Sequence, residues 1–226
     1  MMEPLGERGW LMRFECAERA SAFARWVERA SWPGVLDVVA AFETVAVLVD
    51  PDRIDPAEEL PCRLREGLRW IEEGKRVVSV VHHTIPVRYD GPDLEWVADR
   101  VGLSPEAVAA AHAAATYRVA AIGFLPGFPY LEPTTPSSPL RAIPRLARPR
   151  PRVEVGSVAL AGDQTGIYPR VSPGGWRLIG RTPLILADLE RDWFRFHVGD
   201  SVSFQPIDPD EFQRLRDHPP DPIPRP

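Results

Sequence analysis

Apolar residues recur at Ala20, Phe23, Val27 and Ala30, with Trp26 beside them. That spacing predicts an amphipathic helix, which Trp32-Pro33-Gly34 stops because proline and glycine both interrupt a helix. Leu11–Glu15 before it reads as a short strand. Val35–Ala41 and Val45–Val49 after it are β-rich runs around Phe42-Glu43-Thr44. Leu60, Leu64, Leu68 and Ile71 form the stripe of a second helix ending at Gly74, and Val77–Val81 reads as another strand. Residues 1–88 are therefore expected to form an α/β domain.

The pattern changes after Tyr89. Asp93–Val101 has helical spacing and ends at Gly102, suited to a left-handed cap. Ser104 then caps a further helix with Pro105 at its first position, where the missing N–H costs nothing, and that helix carries His112. From Tyr117 on, short β-type runs (Tyr117–Ile122, Ser157–Leu160, Trp176–Ile179, Ser201–Phe204) alternate with loops rich in glycine and proline. This punctuation predicts a β-barrel or sandwich over residues 89–208 and an α+β fold for the whole chain. A last helix, Asp210–Arg216, and a proline-rich tail, Pro219–Pro226, fill residues 209–226.

Length and composition bound this picture. The 226 residues are 44% hydrophobic and 26% charged, in the ordinary globular range. No apolar run is long enough to span a bilayer, and Met1–Arg13 does not read as a secretory signal. Cys16 and Cys62 lie far apart in no metal-like spacing, which favours free, buried thiols in a reducing compartment, with cytoplasm the default location. A net charge of −5 gives no global electrostatic reason to expect nucleic acid. The 26 prolines, about twice the usual share, gather between Pro126 and Pro183 and at the end of the chain.

Four segments could carry chemistry. Gly123-Phe124-Leu125-Pro126-Gly127-Phe128-Pro129-Tyr130-Leu131 holds aromatic faces on a stiff backbone path, a pattern that also suits a rigid loop closing the end of a barrel. Arginines spaced by prolines from Pro144-Arg145 through Pro149-Arg150 to Arg152 could grip carboxylate or phosphate bidentately, or simply be solvated. Gly156–Pro169 brings small residues, which allow close approach to the backbone, together with Gln164 and Thr165 as uncharged hydrogen-bonding groups. Ser172-Pro173-Gly174-Gly175-Trp176-Arg177-Leu178-Ile179-Gly180-Arg181-Thr182-Pro183 sets an indole and two arginines around a glycine pair. There is no P-loop, no His/Cys metal cluster and no Gly-x-Ser-x-Gly elbow. Of the histidines, His82 and His83 fall at a strand end where one should face outward, and His112 reads as a satisfied buried imidazole or, less simply, a base.

These four segments, in this order, resemble the KipI/PxpB family, also called allophanate hydrolase subunit 1. The shared features are the Gly-Phe-x-Pro-Gly-Phe-Pro-Tyr-Leu stretch, spaced Pro-Arg pairs, a Gly-Ser-Val block ending in Gln-Thr-Gly-x-Tyr-Pro, and Ser-Pro-Gly-Gly-Trp-x-Leu-Ile-Gly-Arg-Thr-Pro. Weaker likeness extends upstream through Pro86-Val87, Pro92-Asp93-Leu94, and His112 followed by Tyr117. The chain departs from the family with Val153-Glu154-Val155 before Gly156-Ser157, and with a short Tyr89-Asp90-Gly91-Pro92 connection.

The resemblance implies an N-terminal α/β domain followed by a cyclophilin-like β-barrel. It implies a non-autonomous subunit of an ATP-dependent 5-oxoprolinase, with Mg-ATP bound by this chain or by a partner. The implied partners are a carboxyltransferase-like subunit (PxpC/KipA type) and a LamB/YcsF-type subunit (PxpA). The family also contains inhibitors of a sensor histidine kinase and relatives acting on allophanate or other urea-derived amides. On this reading Arg145, Arg150 and Arg181 bind phosphate or carboxylate, Gln164 and Thr165 orient the amide, and Phe128, Tyr168 and Trp176 form the apolar wall, with no metal site in the chain.

Overall fold

The computed structural model describes residues 1–74, 80–135 and 139–218, which fall into two compact units, Met1–Val80 and Val81–Pro226. The tail Pro219–Pro226 and most of the run expected as a strand at Val77–Val81 lie outside the described residues.

In the first unit the order is β1 (Met2–Pro4), β2 (Gly9–Arg13), α1 (Ala17–Ala30), β3 (Val35–Ala41), β4 (Thr44–Val49) and α2 (Glu59–Glu72). The strands pair antiparallel in the order β1-β2-β4-β3. Alternation along β4 buries Val45, Val47 and Val49, while helical spacing turns Phe23 and Val27 of α1 and Leu60 and Leu64 of α2 inward. Both cysteines are free as expected, but neither is buried: Cys16 is half-buried and Cys62 is exposed. Cys62 lies on the helical stretch between Leu60 and Leu64, off the stripe that packs inward.

The second unit begins with β5 (His82–Val87), α3 (Leu94–Val101), α4 (Pro105–Ala114), β6 (Thr116–Ile122) and β7 (Pro129–Pro133). It continues with β8 (Arg150–Val153), β9 (Ser157–Ala161), β10 (Gln164–Ile167), β11 (Ser172–Gly174) and β12 (Arg177–Arg181). The short strands β13 (Ala187–Asp188) and β14 (Trp193–Phe194), then β15 (Ser201–Pro206) and α5 (Pro209–Asp217), complete it. The segment from Val81 to Val87 belongs here because β5 pairs in parallel with β15 along its whole length.

The main ladder runs β5-β15-β6-β7-β10-β9-β12, antiparallel except for the β5–β15 pair. Two-stranded pairs β8–β11 and β13–β14 lie apart from it. The fold is thus mixed helix and sheet, as expected, but the ladder does not close into a continuous barrel. Among the described residues its two ends share no strand ladder; they meet at an isolated bridge where Arg88 and Arg181 exchange backbone hydrogen bonds of 2.9 Å, continued by Gly91 and Asp93 N–H bonds to the Ile179 and Leu178 carbonyls.

Local signals end the helices where the sequence puts them. Gly102 closes α3 with φ +70°, and the Ser104 hydroxyl accepts from the Ala107 N–H to cap α4. The core of this unit places Val97 and Val108 from α3 and α4 against Val87, Val119, Leu131 and Phe204 of the sheet. A separate cluster of Phe128, Val153, Ala159, Tyr168, Trp176 and Leu178 forms on the other side of β9. Adjacent β9 residues alternate between the two clusters, as the period of a strand requires. No helix among the described residues is long and apolar enough to cross a membrane.

Candidate functional site

The second cluster opens into a cavity of about 310 Å³. Its aromatic walls are Phe124, Phe128, Tyr130, Tyr168 and Trp176. Arg145, Leu146 and Pro149 form one edge, and Pro173, Gly174 and Gly175 the other. All four motif segments recognised in the sequence contribute to it.

The Phe124–Phe128 stretch is the turn of the β6–β7 hairpin, and Phe128 is its buried anchor, 1% exposed. The Phe128 ring meets Tyr130, Tyr168 and Trp176 edge-on at centroid distances of 5.1, 5.2 and 5.5 Å. Such contacts bring the positive edge of one ring to the negative face of the next, worth about 0.5–1.5 kcal/mol per pair beyond burial. Phe124 caps this cluster, edge-on to Phe128 at 5.4 Å, yet stays 59% exposed. Two glycines permit the packing: a Cβ at Gly166 would lie 2.7 Å from the Phe128 ring, and one at Gly174 would overlap the Tyr168 hydroxyl.

The charge at the cavity is positive. The Arg145 guanidinium lies over Trp176, 5.6 Å from the ring centroid, and makes no ion pair among the described residues. Arg150 donates to Asp93 Oδ1 at 2.9 Å, while its other terminal nitrogen, Nη1, is buried without a hydrogen-bond partner. Burial raises the pKa of the Tyr168 hydroxyl, against the opposing pull of the Trp176 backbone hydrogen bond and the Arg145 and Arg150 charges. Among the described residues the lining carries no carboxylate, imidazole or thiol. The arrangement is suited to gripping a flat anion, and it offers no general base.

The other expected site residues lie elsewhere. Thr165 is fully buried: its hydroxyl sits 3.0 Å from His112 Nε2 and donates to the Ala159 carbonyl at 3.0 Å. Because that hydroxyl spends its proton on Ala159, His112 must donate from Nε2, leaving Nδ1 to accept from the Tyr89 hydroxyl at 2.7 Å. This pattern satisfies a neutral imidazole, and burial pushes its pKa down to about 3. His112 is therefore a core residue rather than a base. Gln164 donates to Glu132 across the β7–β10 pair at 3.3 Å. Arg181 pairs with Asp90 at 2.7 Å and lies over Phe212, at the bridge between the sheet ends. His82 is exposed, and His83 is buried against Asp200 at 3.1 Å. Glu154, the charge at which the chain departs from the family pattern, is exposed and paired with Arg152 at 2.7 Å, outside the cavity lining.

Sequence reasoning missed Asp93 and Arg177. Asp93, 5% exposed, accepts from the Leu178 N–H through Oδ2 at 2.7 Å, and Arg177 Nη1 lies 3.7 Å from its Oδ1. Their only signal is the Pro-Asp-Leu and Trp-Arg pairs themselves, which read equally well as a helix start and a strand edge. A second depression of about 440 Å³ lies in the first unit, between Val27–Trp32 and Val35–Val38, and contains no residue of the four motif segments.

Residues 1–195 match the carboxyltransferase domain, subdomain C and D, family. The chain is 36% identical over 239 aligned positions to a 5-oxoprolinase subunit of Bacillus subtilis, covering 96% of both chains. The chain belongs to the KipI/PxpB family. It is also 43% identical to the corresponding 5-oxoprolinase subunit of Haemophilus influenzae, over 81% of this chain and 84% of that one. Among solved structures it resembles TTHA0988, with a TM-score of 0.76 and 40% identity over 97% of this chain. The match spans only 41% of TTHA0988, so this member of the KipI/PxpB family corresponds to less than half of that longer chain.

Proposed function

We propose that this chain is a subunit of an ATP-dependent 5-oxoprolinase that opens the 5-oxoproline lactam to glutamate together with partner subunits. The observation that carries the reading is the cavity: aromatic faces, an Arg145 at the edge with no ion pair among the described residues, and no carboxylate or imidazole among the described lining residues. A five-membered lactam bearing one carboxylate matches that lining. Its ring would lie against Trp176 and Phe128, and its carboxylate would take a charge-assisted hydrogen bond from Arg145. The names of the relatives, both of them 5-oxoprolinase subunits, support the same assignment.

A lactam is a poor electrophile, and phosphoryl transfer from ATP to its oxygen would supply a leaving group before water attacks. Among the described residues the cavity lining holds one guanidinium, and the sequence has no P-loop, so this reading assigns Mg-ATP and the activation of water to partner subunits. The carboxyltransferase-like and LamB/YcsF-type subunits are the partners proposed. The chain's share of the work is to bind and orient substrate and to exclude water from its ring.

The test is glutamate release from 5-oxoproline and ATP, measured for the chain alone and mixed with both partners. Activity only in the mixture is expected. An Arg145→Ala chain in that mixture should lose about tenfold or more in kcat/KM, since a charge-assisted contact is worth about 1.5–3 kcal/mol. No glutamate from the fully assembled complex overturns the reading.

A further inference from the structure

Both arginines beside the cavity trace back to one buried carboxylate. Asp93 holds Arg150 directly, at 2.9 Å. It also faces Arg177, whose guanidinium stacks on Trp96 at 3.4 Å and whose Nε donates to the Pro144 carbonyl at 3.2 Å. Pro144 is the residue before Arg145, so Arg177 ties down the strand of chain that carries Arg145. The carboxylate is itself immobile, because Asp93 exchanges hydrogen bonds with Leu178 through both its backbone N–H and its side chain.

The register then places the charge. Arg150 stands opposite Gly174 in the β8–β11 pair, and Gly174 abuts the Tyr168 hydroxyl. One carboxylate thus faces the guanidiniums of Arg150 and Arg177, and with Arg145 nearby the Tyr168 end of the cavity keeps a surplus of positive charge.

We infer that Asp93 is a positioning residue for the cavity, holding Arg150 and the Arg145 segment so that the Tyr168 end selects ligands by an anionic group. The inference rests on the reading of this cavity as the substrate site. Asp93 touches no ligand. It acts through the arginines, and its contribution is to discrimination between charged and neutral ligands rather than to the affinity for the ring.

The test titrates the full chain with 5-oxoproline and with 2-pyrrolidinone, the same lactam without a carboxylate, by calorimetry. The wild-type chain is expected to prefer 5-oxoproline by tenfold or more. In Asp93→Asn that preference should fall below threefold, while affinity for 2-pyrrolidinone stays within twofold. Arg150→Gln, which leaves the Asp93–Leu178 clasp in place, should lose the same preference, and Asp93→Glu should restore part of it. Equal weakening of both ligands marks a structural role and overturns the inference. An unchanged preference in Asp93→Asn, or no binding of 5-oxoproline to the wild-type chain, overturns it as well. The two readings separate cleanly. Charge-selective binding without glutamate release from the assembled complex removes only the 5-oxoprolinase function. Release with an unaltered preference in Asp93→Asn removes only the positioning role.

Discussion

Acidification from pH 7 to 4.5 should destabilise the second unit through His112, and replacing this residue by glutamine should remove that part of the loss. The imidazole is fully buried and satisfied as the neutral form, with Tyr89 donating to Nδ1 and Nε2 donating to Thr165. Its pKa falls from the ordinary 6.5 to about 3 in the folded chain, because burial penalises the cation. Between those values the unfolded chain holds a proton that the folded chain refuses, so stability rises with pH across that window. The full contribution is present above pH 6.5 and is lost as pH falls toward 3. Each pH step of one across that window costs on the order of 1 kcal/mol, so at pH 4.5 the folded state should have lost a few kcal/mol through this residue. The assay is guanidinium unfolding followed by circular dichroism at both pH values, taking the transition that His112→Gln alters at pH 7. The parent chain should lose more stability than His112→Gln on acidification, by about that amount, because the other titrating groups are common to both. If both chains lose the same amount, the imidazole is not held neutral and the argument fails.

Gly174→Ala should destabilise by about 1–3 kcal/mol through overlap with the Tyr168 hydroxyl, and adding Tyr168→Phe should recover part of the loss, read from denaturant midpoints. Ser104→Ala should cost about 1 kcal/mol by leaving the Ala107 N–H at the start of α4 without its cap. Gly102→Ala meets no neighbour within 4 Å, so its cost of about 1 kcal/mol should come from the left-handed backbone alone, and Gly102→Asn should cost less. In the assembled complex, Arg145→Ala should lower kcat/KM more than Arg181→Ala, since Arg145 lines the cavity and Arg181 is engaged by Asp90. Steady-state glutamate release would decide between them.

Much of the local structure was legible in the chain itself. The stripes Ala20–Ala30 and Leu60–Ile71, the Gly102 stop and the Ser104-Pro105 start all became helices with those ends, because periodicity and caps act within a few residues. Phe128, Tyr168, Trp176 and Arg145 were grouped as one site only through the resemblance, and the fold sets all four around one cavity. Tertiary structure decided the rest. β5 exists as a strand because its parallel partner β15 comes from the far end of the unit, a pairing to which no local pattern points. Burial brought Thr165 and His112 into hydrogen-bond contact away from the cavity, and Arg181 came to pair with Asp90. Asp93, which looks from sequence like the start of a helix, became the anchor of two arginines. Hydrogen-bond partners and desolvation are set by what the fold brings together, whereas helical periodicity and capping are set by neighbours along the chain.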